Sequence, residues 1–129
     1  MDANKTHGAF SWSELATPQP GAASEFYGSL FGWTVETMDM GDAGEYRVAK
    51  LGDTSVGGIM SLPKEDAAGA PAWGCYVTVD NVDRTLEQCT ALGGQVVMPP
   101  MDVPGVGRMA QIRDPQGATI SVITYAMPG

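Results

Sequence analysis

A chain of 129 residues is the size of one ordinary domain. Hydrophobic residues make up 43% of it and charged residues 17%, so it can bury a real core and is not disordered by composition. Seven basic residues face fifteen acidic ones, for a formal net charge of −8. Lys and Arg form no cluster, which excludes a phosphate-neutralising nucleic-acid surface and argues against anionic membranes.

Met1 to His7 reads as a loose polar arm that lacks the apolar stretch of a signal peptide. Phe10, Trp12, Glu14 and Ala16 then alternate with Ser11, Ser13, Leu15 and Thr17, the two-residue period of a strand. From Gly21 to Phe31 the spacing changes to three and four, through Ala22, Ala23, Phe26, Tyr27 and Leu30, and Gly32 supplies a helix stop. Strand-like runs follow at Trp33 to Met38, Tyr46 to Leu51 and Ser55 to Leu62, with hairpin turns at Gly41–Asp42 and Gly52–Asp53. Pro63 to Pro71 is a polar, small-residue connection.

The second half repeats the order. Trp73 to Asp80 alternates as a strand, Asn81 is placed to cap a helix over Val82 to Leu92, and Gly93–Gly94 stops it. Gln95 to Met98, Arg108 to Arg113 and Ala118 to Tyr125 read as strands, the last two joined by the tight turn Asp114-Pro115-Gln116-Gly117. At an offset of 62 residues Glu25 falls on Glu87, Leu30 on Leu92, Gly32 on Gly94 and Val35 on Val97, which with the repeated order points to an internal duplication. The domain plan is an arm (1–8), a first βαβββ module (9–62), a connection (63–71) and a second βαβββ module (72–126).

The run from Ala22 to Trp33, with its Phe-Tyr and Leu-Phe-Gly-Trp pieces, resembles the vicinal oxygen chelate superfamily of glyoxalases, bleomycin-resistance proteins and extradiol dioxygenases. Leu92-Gly93-Gly94 and the Asp-Pro-x-Gly turn carry the resemblance into the second half, and it spans roughly residues 9 to 125. The resemblance implies an α+β fold of two βαβββ modules, eight strands forming curved sheets around a cavity. One sheet face lies under the helix and the other lines the cavity. By strand alternation Cys75, Val77 and Val79 belong under the helix. Gly74, Tyr76 and Thr78 then face the cavity, as do Trp12, Glu14 and Ala16 from the first half.

Metal-dependent members of that superfamily hold a divalent ion with His or Gln on a module's first strand and Glu on its last. A Lewis acid there steadies charge developing on substrate oxygens. Counting from the helix and the Asp-Pro-x-Gly turn, those positions fall on Trp12, Gly74, Ser121 and a residue between Gly58 and Met60. None is an imidazole or a carboxylate, so no metal and no cofactor is expected. The single histidine, His7, lies in the arm and is read as solvated.

Glu14 becomes the sharpest candidate for chemistry, with Tyr76 beside it in the duplicated frame. Desolvation would raise its pKa and make it a general base or acid near neutrality; the plainer reading is a structural glutamate bonded to Tyr76 or to backbone. Trp12, Tyr46 and Tyr76 could cage a flat ligand, and Met60, Met98, Met101 and Met109 add adaptable apolar surface. Eight methionines is a high count for this length, although each could simply fill the core. Ser121 and Arg108 could orient a ligand, with Arg108 equally a solvated strand-end charge. Pro99 to Gly107 could form a flap. Cys75 and Cys89 have no histidine near them in sequence and do not read as catalytic thiols.

The resulting expectation is a metal-independent protein that binds a small, apolar or aromatic molecule, with no nucleic acid and no membrane as partner. The alternative is a metal-free isomerase, lyase or cyclase with Glu14 as general base and Tyr76 donating to the developing oxyanion, and a metal-dependent glyoxalase or dioxygenase comes third. Exposed sheet edges and small size favour a homodimer. Two unpaired cysteines favour the reducing cytoplasm.

Overall fold

The computed structural model describes residues 1–39, 45–62, 71–103 and 106–126. The expected Gly41–Asp42 turn and most of the 63–71 connection lie outside these residues. Two compact units emerge, one of residues 12–74 and one of residues 1–11 with 75–129. Among the described residues there are eight strands and two α-helices, in the order β-α-β-β-β twice over. No helix among them is long and apolar enough to cross a membrane.

In the first unit, β1 (Phe10–Thr17, from Trp12 on) lies parallel to β4 (Thr54–Ser61). β3 (Glu45–Leu51) runs antiparallel to β4 and to β2 (Thr34–Asp39), giving the strand order β2-β3-β4-β1. Helix α1 spans Pro20–Phe31. Proline at its first turn costs nothing, because the N–H it lacks has no partner in the helix. Gly32 closes it at φ +77°, its N–H donating to the Gly28 carbonyl at 2.9 Å, a conformation that a side chain resists. Tyr27 on α1 meets Phe31, Trp33 and Trp73 at ring distances of 5.9, 5.8 and 5.4 Å, and the Trp73 indole donates to its hydroxyl. Leu15, Ala49 and Ile59 are buried on the helix side of this sheet.

The second unit repeats the plan with β5 (Ala72–Thr78), α2 (Val82–Ala91), β6 (Gln95–Val103), β7 (Gly107–Arg113) and β8 (Thr119–Tyr125). β5 is parallel to β8, and the order is β5-β8-β7-β6. Asn81 caps α2, its side chain accepting from the Arg84 N–H at 3.0 Å. Val82 and Leu86 seat α2 against Val79, Ala110 and Val122, with Val77 and Ile112 packed around them. The expected parity of β5 therefore holds at Val77 and Val79. Cys75, at the same parity, is exposed instead of buried, because it lies before the part of β5 that α2 covers.

Two further expectations are corrected. The arm is not loose: a 3-10 turn at Ala3–Lys5 is capped by Asp2, and Gly8 and Ala9 bond to Thr78 through main-chain N–H···O contacts of 2.8 Å. Nor do Pro99 to Val103 form the expected flap; Pro104 and Gly105 lie outside the described residues. Strand β6 runs through Pro99 and Pro100 to Val103, and its register against β7 shifts between Val96 and Met98 and again between Met98 and Met101. An edge strand with bulges tolerates the missing proline donors.

Candidate functional site

The sheet face of the first unit that points away from α1 carries the strongest chemistry. Registers Tyr46↔Met60, Ala16↔Met60 and Met38↔Tyr46 set Met38, Tyr46, Met60 and Ala16 in one row across the sheet. Val48, Gly58 and Glu14 form the next row, since Glu14 pairs with Gly58 and Gly58 with Val48. The Tyr46 phenol does not stay in its own row. It leans over Gly58, where an added Cβ would fall on its hydroxyl and ring.

That lean brings three polar groups together. The Trp12 indole Nε1–H donates to the Tyr46 hydroxyl oxygen at 2.9 Å, and the Tyr46 O–H donates to Glu14 Oε2 at 2.6 Å. An O···O distance of 2.6 Å lies in the range of hydrogen bonds to an ionised carboxylate, about 2.5–2.7 Å. Trp12, Glu14, Tyr46 and Met60 are all half-buried. The arrangement can hold an apolar body against sulfur and indole while presenting a carboxylate to one edge of it.

In the second unit the face away from α2 carries the rest of the expected set, apart from Arg108. Tyr76 is buried and pairs with Ser121, which in turn pairs with Gln111, opposite Met98. The Tyr76 hydroxyl lies 3.9 Å from the Met109 sulfur, and Met109 pairs with Met101. Met98 and Met101 are exposed on β6. On the same face Tyr125, Ser11, Thr78 and the Ala3 carbonyl form a chain of hydroxyl contacts of 2.8, 2.8 and 2.7 Å. Burial pushes the Tyr125 phenol above its ordinary range, and the bond to Ser11 offsets part of the rise.

Of the two readings of Arg108, its place at the start of β7 fits the strand-end charge and not the ligand-orienting group. It sits on the α2 side of the sheet, where its guanidinium takes both carboxylate oxygens of Asp83 at 2.9 and 3.0 Å and one of Asp102 at 3.0 Å. The two carboxylates raise the Arg108 pKa, and the Arg108 hydrogen bond holds Asp83 below the usual carboxylate range. A guanidinium spent on two carboxylates of its own chain is not offered to a ligand from that face. His7 is also engaged: its Nδ1 accepts from the Asp80 N–H at 2.9 Å, so that nitrogen carries no proton.

The structure fixes the one metal position that spacing left open. Glu14↔Gly58 in the first unit matches Tyr76↔Ser121 in the second, so the position is Gly58. The four positions are thus Trp12, Gly58, Gly74 and Ser121. Indole N–H is a donor only, and the Trp12 proton is already given to Tyr46. The volume above Gly58 is filled by the Tyr46 phenol. These residues do not fit a divalent first-row ion. Among the described residues no group of three or more His, Cys, Asp or Glu could hold one elsewhere.

Spacing missed Met38 and Gly58. Met38 lies one residue before the end of β2, and only register puts it opposite Tyr46. The Gly57–Gly58 pair inside a strand was a readable signal, because glycine there marks a close approach.

Residues 9–122 match the family model of the Glyoxalase/Bleomycin resistance protein/Dioxygenase superfamily, and the chain belongs to that family. Its fold is the family's α+β arrangement of paired βαβββ modules. The protein CFP32 of Mycobacterium tuberculosis, which bears a provisional glyoxylase name, is 43% identical over 120 residues, covering 92% of this chain and 45% of that protein. The anthracycline biosynthesis protein DnrV of Streptomyces peucetius is 35% identical over 127 residues, covering 89% of this chain and 46% of that protein. The chain spans about half the length of these curated relatives. Among solved structures, Streptomyces coelicolor methylmalonyl-CoA epimerase superposes with a TM-score of 0.71 at 18% identity, covering 95% of this chain and all of that one, a likeness of fold.

Proposed function

We propose that this protein binds a small, apolar or aromatic molecule without a metal, on the sheet face away from α1 that carries the Trp12–Tyr46–Glu14 network. The observation that carries the reading is that network itself: an indole, a phenol and a carboxylate joined by 2.9 and 2.6 Å hydrogen bonds beside Met60. Methionine and aromatic surface moulds to a ligand of irregular shape, and a single carboxylate fixes its orientation. Tyr76, Ser121, Met98 and Met101, on the face of the other unit that points away from α2, are read in the same ligand-facing role. The names of the curated relatives, one a glyoxylase and one an anthracycline biosynthesis protein, support small-molecule chemistry.

The short bond at Glu14 favours a second reading, a metal-free isomerase, lyase or cyclase. A carboxylate that holds a phenol proton at 2.6 Å is equipped to take a substrate proton and pass it on. Glu14→Gln separates the two. The amide keeps the shape but is a far weaker base, so binding of an aromatic ligand survives in both cases and turnover disappears only in the second. Calorimetric titration of metal-stripped protein with nickel, manganese, zinc and ferrous ions tests the metal-free premise, and tight stoichiometric binding overturns it.

The protein is further read as a cytoplasmic homodimer. Both cysteines are unpaired, as a reducing compartment keeps them. Phe26, Leu30 and Phe31 on α1 are exposed apolar groups that a second copy would cover. Sedimentation velocity tests the pairing, and a monomer at micromolar concentration refutes it.

A further inference from the structure

The hydroxyl chain on the second unit's sheet face has a direction. Thr78 Oγ1 donates to the Ala3 carbonyl at 2.7 Å and to Ser11 Oγ at 2.8 Å. Ser11 Oγ lies 2.8 Å from the Tyr125 phenol oxygen. Having accepted from Thr78, Ser11 keeps its own proton, and the phenol oxygen is the acceptor within reach. With Tyr125 donating inward instead, the Ser11 proton would have no acceptor among the described residues. Burial raises the Tyr125 pKa and the Ser11 bond lowers it, and that second sign belongs to a bond donated to the phenol oxygen.

The chain therefore ends on a proton. The O–H of the half-buried Tyr125 has no acceptor among the described residues, and burial, which raises its pKa, keeps the phenol protonated at neutral pH. A hydroxyl whose oxygen already accepts a bond is polarised into a better donor. On the β7 side the surroundings of Tyr125 are bare or apolar. Gly107 stands opposite it in the register at φ +148° and can carry no side chain, since a Cβ there would run into the Thr124 carbonyl oxygen. Val103 lies opposite Gly107 on the next strand, and the neighbouring row holds Met109 and Met101. Glycine inside a strand marks a place where another group can approach the backbone closely. A ring laid beside Gly107 would meet valine and methionine along one edge and a single hydrogen-bond donor at the other, the composition of a small-molecule site.

We propose that the Tyr125 phenol is a ligand-binding donor, taking the carbonyl, enolate or phenolate oxygen of an apolar or aromatic molecule seated beside Gly107 on the second unit's sheet face. The inference rests on the small-molecule reading above and adds to it the kind of oxygen that the molecule carries.

A matched pair of probes tests it: 1-tetralone and tetralin, which share a ring system and differ by the carbonyl, titrated into the native protein and Tyr125→Phe. The variant deletes one hydroxyl and keeps the ring, and circular dichroism and thermal melting check that it is folded. Tetralone should bind Tyr125→Phe about three- to tenfold more weakly than the native protein, the size of one hydrogen bond, while tetralin binds both within about twofold. The carbonyl stretch of bound tetralone should lie at lower frequency in the native protein than in the variant, a shift that altered packing alone does not produce. In the native protein, nuclear Overhauser contacts should join tetralone to the Tyr125 ring, a readout independent of the variant. Unchanged tetralone affinity, equal losses for both probes, an unmoved carbonyl stretch or the absence of those contacts overturns the role of Tyr125 and leaves the binding reading standing. If neither probe binds the native protein, the binding reading itself fails, and this inference with it.

Discussion

The hydroxyl of Thr78 has a single proton and two oxygen neighbours, the Ala3 carbonyl at 2.7 Å and Ser11 Oγ at 2.8 Å. A carbonyl can only accept, so Thr78 donates to Ala3. The same proton is shared with Ser11 Oγ, which also accepts from Thr78 and so keeps its own proton for the Tyr125 phenol oxygen. Burial pushes the Tyr125 pKa upward, by more than the Ser11 bond pulls it down. The folded protein keeps this proton to a higher pH than the unfolded chain, whose tyrosines titrate near ~10. Below that value both states are protonated and the shift has no effect. Above it the folded state binds more protons, so stability falls as pH rises until the folded phenol also ionises. Tyr125→Phe should therefore cost about 1 kcal/mol at pH 8 and lose stability less steeply than the native protein from pH 10 to 11. Urea denaturation across that range reads both slopes, and parallel slopes would refute the assignment. Local spacing could not reveal such a chain, since its members come from four distant segments. The same is true of Tyr46, which reaches Trp12 and Glu14 through register across β4, and of Arg108, whose Asp83 partner lies on α2. Trp12 and Glu14, by contrast, share a face by strand alternation and were legible at once.

Elements were legible where a local residue fixes the backbone. Gly32 at φ +77° and Gly93 at φ +96° end the helices where their spacing predicts, and Asn81 caps α2. Gly117 at φ +99° closes the Asp-Pro-x-Gly turn, with Asp114 Oδ1 accepting from the Gln116 and Ala118 N–H groups at 2.9 Å. β6 was not legible to its full length, because two prolines read as a break unless the strand is known to lie at a sheet edge. Helix α2 also shows that a leucine's value is set by where the element presents it. Leu86 is 8% exposed in the core with Val79, Ala110 and Val122, whereas Leu92 at the helix end is 81% exposed. Leu86→Ala removes buried methyl groups and leaves a cavity, and should cost about 2–5 kcal/mol. Leu92→Ala should change stability by no more than about 0.5 kcal/mol. Chemical denaturation of the two variants side by side measures the contrast, and comparable losses would mean that α2 is seated on another face.

At the scale of the whole molecule, the order of the chain and the order of its packing differ. Met1–Ser11 opens the sequence but belongs to the unit formed by residues 75–129. The attachment is polar and main-chain in character. The Gly8 N–H donates to the Thr78 carbonyl at 2.8 Å, His7 Nδ1 accepts from the Asp80 N–H at 2.9 Å, and the buried Thr78 hydroxyl donates to Ala3. A composition-based reading cannot see this, because a short polar arm has no apolar period with which to announce its partner. Deleting residues 1–8 removes all three contacts and leaves the Thr78 carbonyl and hydroxyl with fewer partners in a buried position. Each such group costs about 1–3 kcal/mol when it loses its bond, less whatever water recovers. The deletion should lower the unfolding free energy by about 1–3 kcal/mol in urea, and amide exchange at Asp80 should accelerate even under conditions that leave the fold intact. His7→Ala alone should reproduce the faster Asp80 exchange with a loss below about 1 kcal/mol, since it breaks one exposed bond and leaves Thr78 satisfied. If the deletion left both stability and Asp80 exchange unchanged, the first eight residues would be an appendage, and the second unit would end its packing at β5, α2 and the three strands that follow.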